Sequence, residues 1–328
     1  MIKHVSYSPA VSLALTKNCN NRCLYCGFRD ENDGLVSFDE IKSKTDRALQ
    51  YKATEILLIS GEKVDKIPNI KDQLRDLYLD SFTKFVEKIC QYLLTRGLLP
   101  HINIGLLDQP DLATLKNCCA SMGLMMEGDY GKVSANVQPQ KVFRDRLRNL
   151  ESAGQYKIPF TTGLLVGIGE TREDRRRSIS AIAQVHQKYG HVQEIIIQPY
   201  SPNFKSRLRK CSTVSLNEIR ELADQVHEEM PAVHLQFPPN LFENWLDLLN
   251  IGFDDLGGIG FDEDLINPDN RWPSVQKIEK SISSRGFRLR KRLPLYPEYY
   301  AKGWYSNQVA KVIERIIKHK DEYRYYIE

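Results

Sequence analysis

Short apolar runs recur along the chain, separated by longer stretches whose apolar residues return every three or four positions. The runs lie at 11–16, 55–60, 101–105, 123–127, 160–167, 194–200 and 234–238, with a weaker one at 253–256. Between them, residues 38–51, 80–95, 109–119, 142–153, 172–189 and 215–229 have helical spacing. Ser37 with Glu40, and Ser215 with Glu218, stand at capping-box spacing ahead of two of these helices. Alternating strands and helices predict an α/β fold on a parallel sheet. Eight repeats make a closed (β/α)8 TIM-like barrel, with a partial six-stranded barrel as the alternative because the last run is weak. In either case the active site belongs at the carboxyl ends of the strands. After about residue 267 the pattern changes to Asn-Pro-Asp-Asn-Arg-Trp-Pro, a basic segment at 285–292 and a helical tail at 307–320. The expected division is a barrel over 1–266 and a C-terminal extension over 267–328 packed on it.

The chain has 328 residues, 41% of them hydrophobic, and 46 basic residues against 42 acidic ones. A net charge of +4 is too small to argue for nucleic acid or a membrane surface, so the expected partner is a small molecule. Residues 1–9 carry no apolar signal core, and no run approaches the roughly 18 apolar residues of a membrane span. A cytoplasmic protein is expected. Seven cysteines, an odd number without framework spacing, suit a reducing compartment.

Three of those cysteines, Cys19, Cys23 and Cys26, stand in C-x3-C-x2-C spacing just after the first run. Three soft thiolates on one tight loop can hold three irons of a [4Fe-4S] cluster and leave the fourth open. A structural zinc site would need a fourth ligand, usually in a second pair, and a ferredoxin-type cluster a fourth cysteine at a fixed offset. Cys90, Cys118, Cys119 and Cys211 are scattered in apolar or helical contexts and read as small buried hydrophobes.

The cysteine loop resembles that of the radical S-adenosylmethionine (SAM) enzymes, which implies a SAM-chelating cluster in a barrel of that type. Ser60, Gly61 and Glu62 end the second run, where such enzymes place a turn that orients the SAM ammonium. Residues 163–170, Gly-Leu-Leu-Val-Gly-Ile-Gly-Glu, occupy the place of their adenine-binding segment. Gly167 and Gly169 would permit close backbone approach, Ile168 would supply apolar contact, and Glu170 would lie near the next helix N-terminus. Glu127 closes the fourth run and is a candidate for the SAM ribose. Arg144 is taken, from the trio Arg144, Arg146 and Arg148, as a candidate for its carboxylate.

Longer stretches are similar to one family, the cyclase subunit of Fo synthase, which makes 7,8-didemethyl-8-hydroxy-5-deazariboflavin. They include 18–29 (NCNNRCLYCGFR), 99–105, 120–127, 157–170 (KIPFTTGLLVGIGE), 189–198, 236–241, 254–258, 266–273 (INPDNRWP) and 286–297 (GFRLRKRLPLYP). The resemblance implies a radical cyclisation of 5-amino-5-(4-hydroxybenzyl)-6-(D-ribitylimino)-5,6-dihydrouracil. Ammonia is lost and SAM is consumed to methionine and 5′-deoxyadenosine, making the enzyme a lyase. It further implies a companion radical SAM condensing subunit and a low-potential ferredoxin or flavodoxin. The polar substrate calls for amides and carboxylates at strand ends; Gln198, Gln236, Asn240 and Asp255 are the candidates. The chain departs from the family in three loops, at 132–141, at Pro199 after Gln198, and at 259–261. A paralogue acting on another substrate is therefore the alternative, and a cluster- or zinc-binding protein without turnover a third reading.

Overall fold

The computed structural model describes residues 3–209, 212–260, 264–267 and 269–328; Cys211, Phe261 and Pro268 lie outside them. Nine strands form one parallel sheet: β1 (Lys3–Thr16), β2 (Glu55–Ser60), β3 (Leu99–Asn103), β4 (Ser121–Gly123), β5 (Phe160–Val166), β6 (Val192–Pro199), β7 (His234–Gln236), β8 (Asp255–Ile259) and β9 (Phe287–Lys291). Neighbours run from β2 in order to β8, then β1, and β1 returns to β2, which closes an eight-stranded barrel. The closed barrel, not the six-stranded alternative, is the fold.

The runs read from the sequence all become strands, shifted by a few residues. β5 is buried along its whole length, as a strand covered by helices outside and side chains inside must be. Helices Arg172–Tyr189 and Leu216–Glu229 start on full capping boxes, Thr171 with Asp174 and Ser215 with Glu218. At Phe38–Gln50 the Ser37 hydroxyl accepts from the Glu40 N–H. No described helix is long and apolar enough to cross a membrane.

Two features were not visible as runs. β1 begins at Lys3, eight residues before its apolar core. Its first half pairs with β9 through Lys3–Phe287 to Tyr7–Lys291, and its second half pairs with β2. Beyond β9, residues 292–296 enter the amino-terminal end of the barrel. There Leu293 N–H donates to Tyr326 Oη at 2.9 Å, and Tyr326 donates to the Leu295 carbonyl at 2.7 Å. The lumen is thus closed from below and left open at the carboxyl ends of the strands.

Candidate active site

The loop after β1 carries Cys19, Cys23 and Cys26 and folds against the end of β2. Gly61 N–H donates to the Thr16 carbonyl and Asn20 N–H to the Glu62 carbonyl, both at 3.1 Å. A Cβ on Gly61 would stand 1.9 Å from Asn18 O and 2.6 Å from Cys19 Cα, so only glycine allows the cysteine loop to lie there. Leu24 is held from both sides: its N–H donates to the Val137 carbonyl, and its carbonyl accepts from Arg207 and Leu208.

The thiols open on a cavity of about 270 Å³ bounded by Glu62, Glu127, Lys141, Arg146, Leu165 and Gln198, among others. Arg146 Nη1 meets Glu62 Oε2 at 2.7 Å with both side chains buried, and Arg146 Nε donates to the Met125 carbonyl at 2.7 Å. Lys141 Nζ lies 2.5 Å from Glu127 Oε1 and over the Tyr25 ring. Burial disfavours the Glu62 charge, but Arg146 and Lys141 outweigh it and hold the carboxyl below its ordinary range. Burial likewise opposes the Lys141 ammonium, yet Glu127, with Cys23 and Glu62, holds its pKa up. Burial pushes the Cys23 thiol up to about 11, only partly offset by Lys141.

The donor set fits a cluster. Cys19 Sγ accepts from the backbone N–H groups of Glu62 at 3.2 Å and Asn21 at 3.4 Å, contacts that favour a thiolate. Among the described residues, no three His, Cys, Asp or Glu side chains converge on a single ion. A cube takes its three thiolates on three separate irons and does not require such convergence. Glu62 Oε1 and both polar ends of the Asn21 side chain are buried without a partner among the described residues. They are the kind of orphans a bound ammonium or amide would satisfy.

The Radical SAM superfamily profile matches residues 13–182. A protein of Archaeoglobus fulgidus described as 7,8-didemethyl-8-hydroxy-5-deazariboflavin synthase is 37% identical over 317 residues, 96% of this chain and 97% of its own. One of Trichodesmium erythraeum with the same description is 41% identical over 310 residues, 91% and 93% of the two chains. The chain belongs to the radical SAM superfamily and, within it, to the 7,8-didemethyl-8-hydroxy-5-deazariboflavin synthases. Among solved structures, the FeFe-hydrogenase maturase HydG from Carboxydothermus hydrogenoformans matches with a TM-score of 0.71 at 18% identity, covering 99% of this chain and 76% of that one. Methylornithine synthase (PylB) matches at 0.65 and 16%, covering 87% and 83%. At such identities these likenesses show the barrel fold alone.

Of the residues read from the sequence of this radical SAM protein, Cys19, Cys23, Cys26, Ser60, Gly61, Glu62, Glu127 and Gln198 share the one cavity. Others lie elsewhere. Arg144 is exposed on its helix, while Arg146, two residues on, points inward. Gly167, Ile168, Gly169 and Glu170 are not on the cavity wall; Leu165 of the same segment is. Glu170 accepts from Gly167 N at 2.7 Å, Ile168 N at 2.8 Å and Arg175 Nε at 2.7 Å, which leaves it a brace for the turn. Ile168 packs with Tyr130, Val137 and Leu165 against Leu24 and Tyr25, so it supports the cysteine loop from behind.

Asp255 starts its strand rather than ending it. It is fully buried and bound by Arg292 through Nε–Oδ2 at 2.6 Å and Nη2–Oδ1 at 2.8 Å. Gln236 pairs in register with Asp255, its amide facing Glu194, and belongs to the same floor. Asn240 donates to Asp264 Oδ2 at 2.9 Å, and Asp264 in turn holds Asn267, which does line the cavity. Sequence reading missed Lys141 and Leu165, and from the arginine trio it chose Arg144 where Arg146 is the one on the cavity.

Proposed function

We propose that this chain is the cyclase that forms the third ring of the deazaflavin chromophore from the hydroxybenzyl-ribityluracil adduct, with loss of ammonia. The observation that carries the reading is the shared cavity. Three thiols, a charged Glu62–Arg146 and Glu127–Lys141 belt and the Gln198 amide meet at the carboxyl ends of the strands, in a chain similar along almost its whole length to named synthases.

Cys19, Cys23 and Cys26 would hold the cluster. Bound there, it supplies the electron that splits SAM into methionine and a 5′-deoxyadenosyl radical. Glu62 Oε1, fixed by the Arg146 ion pair at its other oxygen, is set to accept from the SAM ammonium. Lys141 neutralises Glu127 and leaves its second oxygen for a hydroxyl. Leu124, Leu165 and Ile196, together with Phe28, Ile59, Met125 and Ile266, form the apolar part of the wall and limit access of water to a reactive carbon centre. Gln198 offers both a donor and an acceptor to a uracil edge.

The reading is tested by supplying the companion condensing enzyme, tyrosine, 5-amino-6-ribitylaminouracil, SAM and a reduced ferredoxin or flavodoxin, and following deazaflavin fluorescence. Fluorescent product that requires this chain supports the cyclase. 5′-Deoxyadenosine in excess of what the companion enzyme makes alone, without fluorescence, favours the paralogue reading, whose motive is the departure of the loops at 132–141 and 199 from the family pattern.

A further inference from the structure

Beneath the cavity lies an ionisable cluster that the proposed chemistry has not used. A shift in the β5–β6 register between Phe160 and Thr161 lets consecutive Gln193 and Glu194 both reach Thr161. Thr161 Oγ1 lies 3.1 Å from Glu194 Oε2 and accepts from Gln193 Nε2 at 3.3 Å, and Thr161 itself lines the cavity. On its other oxygen Glu194 meets Tyr296 Oη at 2.6 Å and Arg292 Nη2 at 2.8 Å.

The charge count is lopsided. Among the described residues, three carboxyls, Glu55, Glu194 and Asp255, are buried around one guanidinium, that of Arg292. Asp255 takes that cation through two hydrogen bonds and is held below its ordinary range, Arg292 overcoming the opposing effect of burial. A second and third buried carboxylate without their own cation would each bear an uncompensated desolvation penalty, so protonation is the cheaper state.

We propose that Glu194 is held as a carboxylic acid on the barrel floor and passes its proton through the Thr161 hydroxyl to the amine that leaves the substrate as ammonia. The proposal rests on the cyclase reading for the identity of the recipient. Thr161, Tyr296 and the Gln236 amide, which faces Glu194 at 2.9 and 3.2 Å, can each exchange donor and acceptor roles. Glu194 therefore gains or loses its proton without leaving an orphaned partner. Burial pushes the Glu194 carboxyl up to about 8, with Arg292 opposing and Asp255 adding to the rise. Burial raises Glu55 as well.

The other groups that face this floor are settled. Burial and Arg292 hold the imidazole of His101 on β3 down to about 3, and His101 bonds Ser121. His234 on β7, stacked on Tyr296, stays charged against Asp254 and Glu298. Ser6 on β1 donates to Asp255.

The step balances. The amine nitrogen takes a proton and departs as ammonia with the electron pair of the broken C–N bond. The carbon left behind is neutralised by loss of a neighbouring proton to water as the ring double bond forms, and the Glu194 carboxylate regains a proton from water on product release.

The test combines infrared spectroscopy with product ratios. The protein at neutral pH should show carboxylic acid C=O absorption with a component, beside that of Glu55, that disappears on alkaline titration and is absent in Glu194→Gln. Thr161→Val should lower the ratio of deazaflavin to 5′-deoxyadenosine by about 10²-fold, with Thr161→Ser restoring most of it. Deazaflavin formation should fall as pH rises through the Glu194 titration, and Glu194→Gln should lack that limb. Absence of the Glu194 component, or an unchanged product ratio in Thr161→Val, overturns the proposal. So does a parallel fall of both products, which marks a structural role. A wild-type enzyme that shows the component but makes no deazaflavin removes the parent reading, and the recipient with it, while the proton-holding floor stands.

Discussion

Replacing Arg146 by methionine probes the charged belt at its most buried point. The side chains of Arg146 and Glu62 are only 3% and 6% exposed, and the pair is joined at 2.7 Å. The Arg146→Met variant keeps the aliphatic volume but leaves Glu62 buried with one oxygen newly unpaired and the other already without a partner. Breaking a buried pair in this way costs about 3–5 kcal/mol, and the lost bond to the Met125 carbonyl adds to it. The pH dependence is more discriminating than the size. The folded-state pKa of Glu62 is depressed, so its contribution to stability is present above the unfolded carboxyl value and is lost as pH falls through the folded one. Without Arg146, Lys141 is left to oppose burial, so the folded-state pKa of Glu62 rises and its charge is given up at a higher pH than in wild type. The gap between wild type and variant should therefore be widest near neutrality and shrink as pH falls into the carboxylate range. Anaerobic urea unfolding of the reconstituted proteins across that range measures it. A difference below about 1 kcal/mol at neutral pH, or one that does not change with pH, would refute the argument.

Other substitutions separate the parts of the site. Gly61→Ala should fold, as judged by far-ultraviolet circular dichroism, yet lose most of its iron and sulfide, because the new Cβ overlaps Asn18 and Cys19. Full cluster content in that variant contradicts the packing described. Ile168→Ala and Leu165→Ala, both in the cluster behind the cysteine loop, should each cost about 2–4 kcal/mol of stability, but only Leu165→Ala should also raise the SAM concentration needed for half-maximal turnover; that rise in Ile168→Ala alone would show the wrong residue on the cavity wall. His234 has its pKa raised to about 10 because Asp254 and Glu298 outweigh the opposing effect of burial. Its contribution is complete below the unfolded imidazole value and is lost as pH rises through about 10. His234→Asn should accordingly destabilise by about 1.5–3 kcal/mol in mild acid and by less in alkali, which thermal unfolding across that range can check.

The parts of this molecule that were legible in the sequence are those written in local pattern. Apolar runs bounded by helical spacing specified the eight barrel strands, and the cysteine spacing with Ser60 to Glu62 specified one edge of the cavity. β9 was not legible because Phe-Arg-Leu-Arg-Lys alternates weakly and pairs with residues more than 280 positions away. Asp255 was misplaced because the apolar run at 253–256 suggested a strand ending there, whereas β8 begins at Asp255 and turns it toward the floor. The passed-over Arg146 and the missed Leu165 did leave a signal. Arg146 lies three residues after Phe143 and four before Leu150, on the apolar face of its helix, while Arg144 does not. Leu165 shares strand parity with Thr161 and Gly163, and parity sets which side chains enter a barrel. Lys141 left none, since only the folded loop brings it beside Glu127 and Cys23.

The central claim is that the three thiols and the charged belt serve one radical cyclisation. It is tested most directly by anaerobic turnover of the cluster-loaded protein with SAM, a reductant and the purified hydroxybenzyl-ribityluracil adduct, quantifying 5′-deoxyadenosine, ammonia and deazaflavin together. The account predicts that all three accumulate and that deazaflavin and ammonia rise in equal amounts. SAM cleavage with the adduct left unchanged would contradict it.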